Sequence, residues 1–161
     1  MTVVSVEKDY DGLRLVLVAE FDAAIERVWQ LWADPRQLER WLGPPTHPAT
    51  VEKHDLAPGG EITFVMAGPD GEQSRGVWRV THVDPPASLE FTDAFADDDG
   101  TPNTQLATSA VQVRLRERDG RTRMELRFTF ESSDHMRQYE SWGTFEALPQ
   151  SVSQMDAVLV P

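Results

Sequence analysis

Asp93 is the residue of this chain best placed to do chemistry. It closes an alternating run, Leu89-Glu90-Phe91-Thr92-Asp93, in which residues 89, 91 and 93 share one face by the period of two that a strand imposes. Leu89 and Phe91 mark that face as the inward one, so a carboxylate points where apolar side chains go. A carboxylate withdrawn from water must find a partner or hold its proton to higher pH. Which partner it finds depends on strand register across the turn at Asp84-Pro85-Pro86. Pairing Val83 with Leu89 sets Arg79 opposite Asp93, a simple cross-strand ion pair. A slip of one residue sets Trp78 there and makes Asp93 a lone acid. The sequence leaves both registers open.

Other chemistry finds little support. His47, His54, His82 and His135 are not paired at helical spacing, and no HExxH or CxxC occurs. His82 stands near a strand end, where a surface role is expected. Asp97-Asp98-Asp99-Gly100 suggests calcium but fails the EF-hand pattern. Pro102 stands where glycine is needed, and the twelfth position lacks glutamate. A solvated loop is the expected role. Pro58-Gly59-Gly60 lacks the Gly-Lys-Ser/Thr ending of a phosphate loop and precedes a strand. No serine sits in a G-x-S-x-G context. The sequence therefore points to no nucleophile, no metal and no cofactor.

Composition narrows the class further. A chain of 161 residues is expected to form one domain, 1–161, and to bury roughly 68–70% of its unfolded surface without disulfide or metal. Cysteine is absent, which fits a reducing cytoplasm. The start, Met1 to Lys8, has no basic segment followed by a long apolar one, so no signal peptide is expected. Leu13 to Phe21 is broken by Arg14 and Glu20, so no membrane span is expected. A net charge of −12 argues against a nucleic-acid partner. Only Lys8 and Lys53 of the 15 basic residues are lysines, a bias typical of GC-rich bacterial genomes.

The elements that must position Asp93 follow from periodicity. Leu13 to Phe21 reads as a first strand. Asp22 is a candidate N-cap for a helix with Ile25, Val28, Trp29 and Trp32 on one stripe. Asp34-Pro35 ends that helix and starts another, which Gly43-Pro44-Pro45 stops. Strands follow at Val51–Leu56, Glu61–Met66, Gly76–Val83, Ser88–Phe95, Leu106–Glu117 and Thr122–Glu131, with turns at Pro69-Asp70-Gly71 and Asp119-Gly120. From Ser133 the spacing is helical again, with Phe145, Leu148, Val152, Met155 and Leu159 on one stripe. The pattern predicts a break near Trp142-Gly143 and leaves a second open at Pro149. The order β-αα-β₆-α is an α+β domain in which the terminal helix must lie across the concave face of a twisted sheet. A cavity between the two is plausible on that geometry.

These residues resemble the SRPBCC (START-like, helix-grip) superfamily, and most closely its branch related to activators of the heat-shock-protein-90 ATPase. The resemblance rests on Phe21-Asp22-Ala23, Val28-Trp29, Asp34-Pro35, Trp41-Leu42-Gly43-Pro44, Asp55 to Gly60, Pro69-Asp70-Gly71, Asp84-Pro85-Pro86, Leu89-Glu90-Phe91-Thr92 and Gly120 through Thr122-Arg123-Met124. It implies a curved antiparallel sheet wrapped around a long C-terminal helix, two short helices after the first strand, and a deep apolar cavity. Where the family commonly has an aromatic residue after Leu89-Glu90-Phe91-Thr92, this chain has Asp93. The candidate ligand-binding residues are Trp41, Phe64, Met66, Trp78, Phe91, Asp93, Phe128, Trp142, Phe145 and Leu148. Ordinary core packing is the favoured reading of any single apolar member, whereas as a set they are expected to border the gap between sheet and helix. The expected partner is a small hydrophobic or amphipathic molecule. The alternatives are a cyclase or dehydratase using an acid–base group in the pocket, discriminated by whether Asp93 lacks an Arg79 partner, and a module that stimulates a chaperone ATPase. The latter is disfavoured, because such activators usually carry additional chain. A homodimer through the sheet edge or helices is left open.

Overall fold

Alternation in the sequence becomes alternation of burial in the strands. In β7 (Ser109–Arg118), Ser109, Val111, Val113 and Leu115 are buried while Ala110, Arg114 and Arg116 face water. The computed structural model describes residues 3–160. Its other strands are β1 (Val3–Asp9), β2 (Arg14–Phe21), β3 (Ala49–His54), β4 (Glu61–Ala67), β5 (Gln73–Asp84), β6 (Ser88–Ala96) and β8 (Arg121–Phe130). All eight form one curved antiparallel sheet in the order β1-β2-β8-β7-β6-β5-β4-β3. The register shifts within β1, β3 and β5.

The sheet has one strand more than the periodicity predicts. β1 is a half-buried edge strand whose polar Glu7, Lys8 and Asp9 mask its pattern, while Val3 and Val6 pack against the core. Its turn into β2 is held by the Gly12 N–H, which donates to Asp9 Oδ1 at 2.9 Å. At the other end of the meander, Asp119 and Gly120 both take positive φ (55° and 79°), the geometry of a tight hairpin turn.

Helix α1 (Ile25–Ala33) begins without the expected Asp22 cap. Ala24 occupies the cap position, and the Ile25 N–H is satisfied from across the fold by Glu117 Oε1 at 2.7 Å. Helix α2 (Pro35–Leu42) starts as the sequence predicts, with Asp34 accepting from the Arg36 N–H and Pro35 in the first turn.

The C-terminal segment is divided into α3 (Ser133–Ser141), α4 (Thr144–Ser153) and α5 (Met155–Leu159). The break at Trp142-Gly143 is present, with Gly143 at φ 78°. Pro149 lies inside α4 without ending it, flanked by the buried Phe145 and Val152. The remaining interruption falls at Gln154, whose backbone keeps helical angles. Its side-chain amide donates to the Trp41 carbonyl (3.2 Å) and the Gly43 carbonyl (2.6 Å), satisfying the end of α2 and fastening the terminal segment over it.

Two clusters fill the concave side. The larger lies beneath α1 and α2 and includes Trp32, Trp41, Trp78 and Phe91. The smaller holds Leu15, Phe130, Met136, Tyr139 and Phe145. No helix among the described residues is long and apolar enough to cross a membrane.

Candidate functional site

The two registers open in the sequence are both present, on either side of a bulge. Val83 pairs with Leu89, but the ladder shifts between Val80 and His82, so Trp78 faces Asp93 and Arg79 faces Thr92. Arg79 turns to the outer face and bonds Glu61 at 3.2 Å. Asp93 is therefore left without an ion pair among the described residues.

Its partners are neutral. The Tyr139 hydroxyl, carried by α3, donates to Asp93 Oδ2 at 3.0 Å, and Ser109 Oγ donates in turn to the Tyr139 oxygen at 3.3 Å. Ser109 and Tyr139 are buried, whereas Asp93 keeps part of its surface open to the adjoining space. Burial dominates its titration and pushes the carboxyl up to about 6, against the smaller lowering effect of hydrogen bonds from Tyr139 and Trp78. Tyr139 moves far upward, through burial and then the nearby Asp93 charge, so the phenol is a permanent donor.

That adjoining space is a cavity of about 640 Å³, within the range of small-molecule sites. It forms because the terminal helices anchor to one side of the concave face. Helix α4 packs on α2 and β1, α3 on β8, and α5 on α1 and α2. β4 and β5 are not among the strands they pack on, while on β6 Tyr139 reaches Asp93 and Trp142 rests on Phe95. The walls there are Phe64, Met66, Gly76 and Phe95 from the strands, Leu42 at the end of α2 and Pro44 beyond it, and Trp142, Ala147 and Leu148 from the terminal segment. Asp93 and Tyr139 are among the residues that supply polar atoms to it.

Gly76 explains where the Phe64 ring lies. A Cβ on Gly76 would sit 2.3 Å from the tip of that ring. Only glycine at this strand position lets Phe64 lie back against β5 and leave the space open.

Of the residues singled out from the sequence, Phe64, Met66, Asp93, Trp142 and Leu148 border this cavity. Trp41, Trp78, Phe91 and Phe145 are packed in the core. Trp78 stacks on Phe91 with ring centres 4.1 Å apart, and Phe145 packs on Phe130. Phe128 is partly buried between the two clusters. The reading missed Tyr139, Phe95, Leu106 and His47, all of which line the space. Phe95 was legible, since it continues the inward face of Leu89, Phe91 and Asp93. Tyr139 had a weaker signal, standing three residues from both Met136 and Trp142 on one helical face.

His82 is exposed on the sheet. The Asp97–Gly100 loop borders a smaller opening of about 340 Å³ beside Glu52, Thr63 and Arg75. Among the described residues no group of three or more His, Asp or Glu side chains is arranged to hold a metal ion.

A curved antiparallel sheet closed by a C-terminal helical segment defines an α+β protein of the helix-grip type. The chain belongs to the family described as Activator of Hsp90 ATPase homolog 1-like protein, which matches residues 22–160. A crystal structure of a Mycobacterium smegmatis protein is 46% identical, with a TM-score of 0.90 over 98% of this chain and 97% of that one. A solution structure of an Arthrobacter aurescens protein is 47% identical, with a TM-score of 0.94 over 98% and 92%. The AHSA1 protein from Silicibacter pomeroyi is 30% identical, with a TM-score of 0.72 over 91% and 96%. No curated protein matches the chain.

Proposed function

We propose that this protein binds a small hydrophobic or amphipathic molecule in the cavity between β4–β6 and the terminal helices. One observation carries the reading: a cavity of about 640 Å³ walled by Phe64, Met66, Phe95, Trp142 and Leu148, with Asp93 and Tyr139 among the polar groups that border it. Burial of the ligand's apolar surface supplies the affinity, about 25 cal/mol per Å² before the costs of association. The family commonly binds hydrophobic ligands, which agrees with this chemistry.

A titration with the apolar dye N-phenyl-1-naphthylamine tests it. The wild type is expected to bind the dye with a saturable rise in fluorescence. Ala147→Phe, which fills the space from α4, is expected to weaken binding at least tenfold with the melting temperature kept within a few degrees. Equal dye binding by both proteins would place the ligand elsewhere.

A second reading has one observation in its favour. Asp93 has no ion pair among the described residues, is pushed up to about 6 by burial and touches a phenol that stays protonated. Such a pair suits general acid–base chemistry on a bound molecule, of the cyclase or dehydratase kind. Nothing equivalent favours docking to a chaperone. The large exposed apolar side chains among the described residues are Val4, Tyr10, Trp142 and Val160.

A further inference from the structure

The charges bordering the cavity are not equally satisfied, and the imbalance selects a ligand class. Arg75 and His47 are the basic residues on its wall, and each already has an acidic partner. Arg75 is bonded to Glu52, and His47 Nε2 lies 3.5 Å from Glu72. Asp93 differs. Among the described residues it forms no ion pair and its side chain accepts from the Tyr139 hydroxyl, although it borders the same space. Glu146 also lines the cavity and forms no ion pair among the described residues. Among the described residues the wall thus offers one part-buried acceptor lacking a counter-charge, a second acidic group, and no basic group without a partner of its own.

Donor direction reinforces this. Ser109 donates to Tyr139 and Tyr139 donates to Asp93, so both hydroxyl protons point along one line toward the carboxylate. The chain of donors ends on an acceptor, and the surface Asp93 turns to the cavity asks for another donor. A ligand carboxylate there would meet Asp93 as a like charge in an apolar setting, which is costly. A ligand ammonium would supply the missing counter-ion and make a charge-assisted hydrogen bond.

We infer that the cavity selects a lipophilic amine, its ammonium group on Asp93 and its hydrocarbon along Phe64, Met66 and Leu148, over a fatty acid of the same length. The inference rests on the ligand-binding reading above and specifies the polar end of the molecule.

Displacement of N-phenyl-1-naphthylamine by dodecylamine, 1-dodecanol and dodecanoate at pH 7.5, below their aggregation limits, tests it. In the wild type, dodecylamine is expected to displace the dye at a concentration at least tenfold below dodecanol and further below dodecanoate. In Asp93→Asn the amine-to-alcohol ratio is expected to fall to about one. Dodecanoate competing as well as dodecylamine in the wild type overturns the inference while leaving ligand binding intact. So does an amine preference that survives Asp93→Asn. If the wild type binds neither the dye nor any of the three chains, the ligand-binding reading fails and the inference fails with it. The wild-type comparison decides the matter even if the variant does not fold.

Discussion

Asp93→Asn is expected to become more stabilising as pH rises, gaining about 3 kcal/mol over wild type between pH 4 and pH 7. The Asp93 carboxyl titrates near 3.8 in the unfolded chain and is pushed up to about 6 in the fold. Between those values the native state binds more protons than the unfolded state, so wild-type stability falls as pH rises through the window. A gap of about 2 pH units at about 1.4 kcal/mol each gives the figure. Well below pH 3.8 both states are protonated and the contribution is fully present; above pH 7 it is gone. Asparagine keeps an oxygen to accept from Tyr139 and has no charge to desolvate, so its stability lacks this component. Urea unfolding of both proteins from pH 4 to pH 7.5 measures the difference. A difference that stays flat with pH contradicts the placement of Asp93.

Trp41→Ala is expected to cost about 3–5 kcal/mol, in the range for large aromatic deletions from a core. Trp41 is 2% exposed and stands edge-on to Trp32 with ring centres 4.7 Å apart. Its indole N–H donates to the Leu31 carbonyl at 2.8 Å, one of the last-turn carbonyls of α1 that have no partner within the helix. The alanine variant opens a large void and orphans that carbonyl together. Trp142 gives the contrast. It is 40% exposed at the break between α3 and α4, resting edge-on to Phe95 and Tyr139. Trp142→Ala is expected to cost about 1 kcal/mol and to weaken dye binding several-fold. Chemical unfolding of the two variants separates core from cavity wall. Equal losses of stability contradict the distinction.

That distinction is where sequence reading stops. Helix stripes, turn chemistry and strand alternation were legible because each depends on neighbours a few residues away. Asp34-Pro35 opens α2 and Gly143 breaks the terminal segment as local rules require. Trp41 and Trp142 stand alike among the candidate cavity residues of the sequence, and only the docking of α2 beneath the terminal helices makes one core and the other wall. The Asp22 cap failed for a similar reason: Glu117, 92 residues away along the chain, supplies the acceptor instead. The register at Asp93 depended on a bulge at Thr81, which nothing in a Val-Thr-His-Val run announces. The cavity depends on Gly76, whose role becomes visible only when the Phe64 ring is seen against it.

The central claim is that the space beneath α4 holds a small apolar molecule, and native mass spectrometry tests it most directly. Wild type and Ala147→Phe would be incubated with a total lipid extract of the native cells, desalted and sprayed under gentle conditions. The wild type is expected to carry one noncovalent small molecule per chain, released on denaturation, and Ala147→Phe is expected to appear as the bare chain. A bare chain for the wild type, or the same adduct on both proteins, contradicts the account.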